Sequence, residues 1–321
     1  MKSFHKRPFL NNEDKNDLGF GSRLSQGTNE RLLNRDGSFN VFRDGISAAQ
    51  SLSIYHLLVS VSWTKFFLFV TAGFTTVNII FALGYFTLGP GILFGSDAVS
   101  ETERFMDSFF FSVQTLATIG YGKMSPVGLL PNILVALEAL FGLIGLSIVT
   151  GLSFARFARP NTKILYSNNA VIAPFKEGTA FMFRMINQRS SQLIQVEAQV
   201  IFSTMVLKEG KRIRHYYPLT LERSKVMFFP LHWTVVHYIN ENSPMNNETM
   251  QSLTENEAEF MILVNAVDET YSQLVYSRSS YRFNEVVWGA KFKDMFETGR
   301  DGKPVGVRLE RIHEYDRVEL D

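Results

Sequence analysis

The sequence predicts a membrane α unit of two crossing helices with a short re-entrant helix between them, followed by a cytosolic β-sandwich of immunoglobulin-like type. Three observations predict it. Hydropathy partitions the 321 residues: residues 1–52 are polar, 64–157 are overwhelmingly apolar, and 158–321 have the composition of a water-soluble domain. Two runs in the apolar part are almost free of charge, Phe66 to Phe94 entirely and Leu129 to Ala155 apart from Glu138. A bilayer-spanning helix needs roughly 20 such residues. Beyond Pro160 the continuous apolar runs give way to apolar/polar alternation, the period of a strand.

Taken in order, residues 1–45 are rich in Asn, Asp, Arg, Gly and Ser and are expected to form a flexible cytosolic tail. Lys2, Lys6 and Arg7 have no apolar core behind them, so no signal peptide is expected. Residues 46–63 are assigned to an interfacial amphipathic helix. Ile54, Leu57, Leu58 and Val61 share one face, Ser and His the other, and Trp63 is expected to end it just before Lys65. An ordinary core helix fits this segment equally well; the membrane span behind it decides for the interface. The membrane domain is placed at 64–158, with helices over about 65–89 and 129–157 and a helix too short to cross over about 104–116. Gly89-Pro90-Gly91 is expected to break the first span near its far end. Lys65 precedes the first span, and Arg156, Arg159 and Lys163 follow the second. The positive-inside rule then puts both termini in the cytoplasm. Residues 159–321 form the β domain, with strand character in 196–202, 260–267, 284–288 and 305–312. Turn signals lie at Lys208-Glu209-Gly210-Lys211, Asn242-Ser243-Pro244 and Gly299-Arg300-Asp301-Gly302.

Composition excludes several classes of function. Without cysteine there is no disulfide and no thiolate metal site, and a net charge of +1 argues against a nucleic-acid surface. The six histidines show no metal-ligand spacing, and no nucleophile or phosphate-binding loop stands out, so neither an enzyme nor a cofactor is expected.

The chemistry-bearing motif is Thr118-Ile119-Gly120-Tyr121-Gly122, between the re-entrant helix and the second span. Rings of backbone carbonyls can replace the water around a K⁺ ion. Pointing successive carbonyls the same way requires conformations that glycine adopts at little cost. The C-terminal dipole end of the re-entrant helix favours a cation there. One chain supplies one side of a ring, so the motif implies a fourfold assembly with K⁺ as the permeant ion.

Around this motif the chain resembles the inward-rectifier potassium channel family, its prokaryotic branch in particular, over roughly residues 45–315. The residues that carry the resemblance run from Phe109 through Gln114-Thr115-Leu116-Ala117-Thr118 to Gly122, and from Thr150-Gly151-Leu152-Ser153-Phe154 to Pro160. Phe183-Arg184, the segment His237 to Pro244 and Arg278-Ser279-Ser280-Tyr281 add to it. The resemblance implies a homotetramer with one axial pore, passive K⁺ conduction in the plasma (bacterial inner) membrane, and gating from the cytosolic side. By position in the motifs it implies a filter-support role for Gln114, where the family commonly has Glu, and a cavity face of Leu146 and Thr150. It places an inner gate at Phe154. Lys123 stands where many potassium channels have Asp, so mild repulsion of cations at the outer mouth is expected. Glu138 is expected to hydrogen-bond near the filter rather than line the pore. Among the glycines of the second span, Gly142 suits close packing and Gly151 is the hinge candidate. Lys65, Arg156, Arg159 and Lys163 are candidates for anionic lipid headgroups, with Arg184 and Arg189 behind them. Ser272 and Gln273 are candidates for a cytosolic constriction. A membrane-anchored sensor without conduction and a poorly selective cation channel are the alternative readings.

Overall fold

The computed structural model describes residues 31–40, 54–159, 163–208, 210–229, 231–297 and 306–320. Most of the expected tail, residues 46–53, Pro160 and the turn at 299–302 lie outside the described residues. The chain divides into two compact units, Asp44–Arg159 and Met1–Arg43 with Pro160–Asp321.

The first unit is helical. A short helix, α1 (Ile54–Ser60), precedes the first long one, α2 (Trp63–Thr87). Trp63 therefore opens the span instead of closing the helix before it. The reason is local: Ser62 is extended and its hydroxyl accepts from the Lys65 amide, so the chain is capped there. α2 stops ahead of Gly89, where φ is +103°. A two-residue strand β1 (Leu93–Phe94) then pairs antiparallel with β2 (Ser125–Pro126). Between them runs α3 (Glu101–Leu116), which begins three residues earlier than the apolar pattern indicates. A capping box extends it: the Ser100 hydroxyl accepts from the Glu103 amide, and the Glu103 carboxylate accepts from the amides of Ser100 and Val99. α4 (Leu129–Phe157) completes the unit, and α2 and α4 are both long and apolar enough to cross a membrane.

The second unit packs two five-stranded sheets face to face. One has the order β11 (Gln273–Arg282), β10 (Glu259–Asp268), β6 (Leu193–Lys208), β7 (Lys211–Leu219), with β8 (Lys225–Phe228) also on β6. The other has the order β12 (Val286–Trp288), β4 (Ala170–Phe175), β5 (Gly178–Asn187), β3 (Ile164–Tyr166), with β9 (His232–Ile239) on β5. Every pairing within these two sheets is antiparallel except β12 with β4. The sheets meet through buried aromatic rings: Phe181 of β5 stacks on Phe260 of β10 with centroids 4.2 Å apart, and Phe202, the neighbour of Phe260 within its own sheet, packs 5.1 Å from it. Each ring removes a large apolar area from water, which holds the sandwich together.

Three expectations need correction. Residues 284–288 are a strand only from Val286; Phe283–Glu285 is a 3₁₀ turn, closed by the Glu285 carboxylate on the Arg282 amide. Among the described residues of 305–312 only Gly306–Val307 is extended, and Leu309–His313 is a second 3₁₀ turn that buries Ile312. Within the expected tail, residues 31–40 are not free but lie docked on the β unit. Leu32 and Leu33 are buried against Tyr216 and Met261. Their amides donate to the buried Glu259 carboxylate at 3.0 and 3.1 Å. Arg31 pairs with Glu285 at 2.6 Å, and Arg35 donates to the carbonyls of Ser167 and Asn168. Ser280 and Ser279 donate to the carbonyls of Leu33 and Arg35. A polar composition reads as a solvated tail until the partners that satisfy it, 132 to 254 residues away, are known.

Candidate functional site

The segment after α3 has an unusual backbone. Thr118, Gly120 and Gly122 have φ of +56°, +62° and +78°, while Ile119 and Tyr121 between them do not enter the positive region. Alternating the two hands of the backbone turns successive carbonyls to the same side, whereas an extended strand alternates them. A β-branched residue at positive φ is a genuine outlier. Strain of this kind clusters at functional sites. A side chain at Gly120 or Gly122 would meet nothing within 4 Å, so conformation and not space calls for glycine at both. The segment hangs from the C-terminus of α3: the Ile119 amide donates to the Gln114 carbonyl at 2.8 Å, and the Thr118 amide to Thr115.

Two contacts seat α3 against α4. A Cβ on Gly142 would stand 2.3 Å from the Leu116 carbonyl oxygen, so only glycine lets the helices approach this closely. Glu138, fully buried, receives a hydrogen bond from the Tyr85 hydroxyl at 2.6 Å and touches the Ser112 hydroxyl with its other oxygen. Ser112 also reaches the Asn78 side chain at 3.0 Å. The sequence assigns no role to Tyr85 or Asn78, and Ser112 enters only as part of the Phe109–Gly122 run. The only signal was that three polar residues interrupt apolar helices. Past Gly122, the β1–β2 pairing draws Gly95 so close that a Cβ there would stand 2.0 Å from the Lys123 carbonyl oxygen. That tie, too, is invisible in the sequence.

The remaining site residues fall as follows. Among the described residues the Gln114 amide has no side-chain hydrogen-bond partner; its backbone carbonyl accepts from the Ile119 amide. The Lys123 ammonium lies 3.8 Å from Asp97, both largely in water, where such a pair is worth little. Leu146, Thr150 and Phe154 share one exposed face of α4, with Phe154 73 % accessible in the single chain. Gly151 has open space around it. Arg156 is committed to the protein: it donates to the carbonyls of Leu58 and Val61 at the end of α1 and lies over the rings of Trp63 and Phe66 at 4.6 and 4.7 Å. Lys65, Arg159 and Lys163 are exposed, and Arg159 donates to the Ser60 hydroxyl.

In the β unit, Arg184 is buried, donates to Thr234 and stacks over Phe292 at 4.7 Å; burial lowers its guanidinium to about 10. It is buried on the face of β5 turned away from the core between the sheets, under the ring of Phe292, which corrects its assignment to headgroups. Arg189 is exposed. Ser272, at φ +50°, and Gln273 sit exposed at the β10–β11 turn. The buried Asp268 carboxylate organises that turn by accepting from the amides of Thr270 and Tyr271.

Comparison with known proteins agrees on both units. Residues 164–320 match the inward rectifier potassium channel C-terminal domain, and residues 74–159 match an ion channel family. The chain is 39 % identical over 289 residues to the inward rectifier potassium channel Kirbac3.1 of Paramagnetospirillum magnetotacticum, covering 88 % of this chain and 95 % of that one. It is 27 % identical over 300 residues to the human ATP-sensitive inward rectifier potassium channel 15, covering 86 % and 79 %. It is 24 % identical over 305 residues to the inward rectifier potassium channel irk-1 of Caenorhabditis elegans, covering 88 % and 56 %.

Proposed function

The chain belongs to the inward-rectifier potassium channel family, and from that membership and its filter geometry we propose that it conducts K⁺ passively and selectively across a membrane. The observation that carries this reading is the positive φ at Thr118, Gly120 and Gly122 in one five-residue stretch. Four copies around an axis would close their carbonyls into rings that replace the hydration shell of K⁺, with ions advancing by mutual repulsion. The chain acts as a homotetramer in the plasma membrane with both termini cytoplasmic. The exposed face of Leu146, Thr150 and Phe154 lines the cavity, and four Phe154 rings close the inner mouth by excluding water. Leu146 offers no charge to a blocking cation, so block at that site is weak. Gln114 supports the filter through neutral hydrogen bonds to a neighbouring copy. The exposed Lys65 and Arg159, with Lys163, meet anionic lipid headgroups.

The test is Rb⁺ uptake into liposomes holding the full chain, repeated over neutral and anionic lipids and across pH. Uptake that Ba²⁺ blocks and that favours K⁺ over Na⁺ is the expected result. Absence of uptake under every condition would sink the channel reading, and uptake that ignores the difference between K⁺ and Na⁺ would sink the selectivity.

A further inference from the structure

We propose that Glu138 is held as a neutral carboxylic acid, and that it forms the middle of one directed hydrogen-bond chain that positions the re-entrant helix α3 between α2 and α4. The argument is a count of protons. The Asn78 side chain faces the Phe74 carbonyl oxygen at 2.7 Å, and that oxygen has no proton to give. The NH₂ end of the amide must therefore point there, which leaves the Asn78 oxygen facing Ser112 at 3.0 Å. An amide oxygen cannot donate, so this contact uses the single proton of the Ser112 hydroxyl. Ser112 Oγ also touches Glu138 Oε1. With the hydroxyl proton already spent on Asn78, a hydrogen bond between these two oxygens requires a proton on Glu138. Its other oxygen accepts from Tyr85 at 2.6 Å.

The chain then runs in one direction. Tyr85 donates to Glu138, Glu138 to Ser112, Ser112 to Asn78, and Asn78 to the carbonyl of Phe74. Every polar group in it is satisfied. Ionising Glu138 would leave either Glu138 Oε1 or the Asn78 oxygen without a donor in a site where Asn78, Ser112 and Glu138 are each fully buried. The surroundings point the same way. Among the described residues no Lys, Arg or His forms an ion pair with Glu138, and the ring of Phe111 packs edge-on against Tyr85 at 5.2 Å. An unpaired charge buried in apolar surroundings is strongly disfavoured. The three helices contribute one link or more each: Asn78 and Tyr85 from α2, Ser112 from α3, Glu138 from α4. Ser112 lies two residues before Gln114, whose carbonyl holds the filter segment, so these are positioning residues for the conduction proposed above.

Infrared difference spectra of the full chain in liposomes, wild type minus Glu138→Gln, test the protonation directly. The expected result is the C=O stretch of a protonated acid, shifted by D₂O and moved in frequency by Ser112→Ala, which removes its acceptor. A pair of carboxylate bands in its place overturns the proposal. This readout does not depend on conduction, so a wild type without ion flux counts against the channel reading alone. The positioning is read from Rb⁺ over Na⁺ uptake. Glutamine keeps an acceptor toward Tyr85 and a donor toward Ser112, so Glu138→Gln is expected to retain selectivity. Tyr85→Phe and Ser112→Ala each break a link, and a fall in selectivity of about tenfold is expected. A Glu138→Gln channel as unselective as Ser112→Ala, or a Ser112→Ala channel as selective as wild type, overturns the positioning role.

Discussion

Gly142→Ala is the substitution whose consequence can be worked most directly from the coordinates. The new methyl carbon would stand 2.3 Å from the Leu116 carbonyl oxygen and 3.3 Å from its Cα, against about 3.4 Å for ordinary contact. Something must move by about 1 Å, and the atom in the way is helix backbone, not a side chain that can swing aside. Leu116 ends α3 two residues before Thr118, so the displacement is handed to the filter segment. Overpacking of this kind costs about 1–3 kcal/mol. The better helix propensity of alanine returns about 0.8–1 kcal/mol at most. Gly145→Ala is the matched control, since its methyl group meets nothing within 4 Å. Thermal stability in detergent and K⁺ over Na⁺ uptake in liposomes give the two readouts. Gly142→Ala is expected to lower both, and Gly145→Ala neither. If the two variants behave alike in both assays, Gly142 does not seat the re-entrant helix and the reasoning fails.

Further predictions follow the same residues. Phe154→Ala should raise K⁺ flux several-fold by removing four rings from the inner mouth; unchanged open probability in single-channel records would refute the gate. Glu259→Gln should loosen residues 31–40 at a cost of about 1–3 kcal/mol, because one amide of the Leu32–Leu33 pair then faces an NH₂ group. Hydrogen exchange at Leu32 and Leu33 checks this, and unaltered protection would contradict it. Burial holds the His237 imidazole below its ordinary range, with the Thr220 carbonyl acting weakly the other way. The unfolded chain therefore takes up a proton near pH 6.5 that the folded chain refuses, so stability falls as pH drops below about 6.5. Melting temperatures at about pH 7.5 and 5.5 should drop more for wild type than for His237→Gln; an equal drop would refute the assignment.

How far the chain is legible without its structure depends on the range of the interaction. The two spans are set by runs of residues that cannot face water, and the early start of α3 by Ser100 and Glu103, three apart. Both are local and can be read directly. Arg278-Ser279-Ser280-Tyr281 stands out as a motif, but its use does not: Ser279 and Ser280 hold the segment 31–40, which precedes them by about 245 residues. Phe183-Arg184 likewise stood out, yet a basic residue beside a membrane domain reads as a lipid contact until strand pairing shows which way it faces.

The sequence by itself determined that this chain crosses a membrane twice, carries Thr118 to Gly122 between the spans, and continues into a β-rich domain. Hydropathy, period and backbone preference act over a few residues, and each leaves a pattern in one dimension. Only the tertiary structure decided how the segment Thr118 to Gly122 is held. Gly142 against Leu116, Glu138 among Tyr85, Ser112 and Asn78, and Gly95 against Lys123 are approaches between helices and loops distant along the chain. Steric fit and buried hydrogen bonding act between surfaces, and surfaces exist only once the chain has folded.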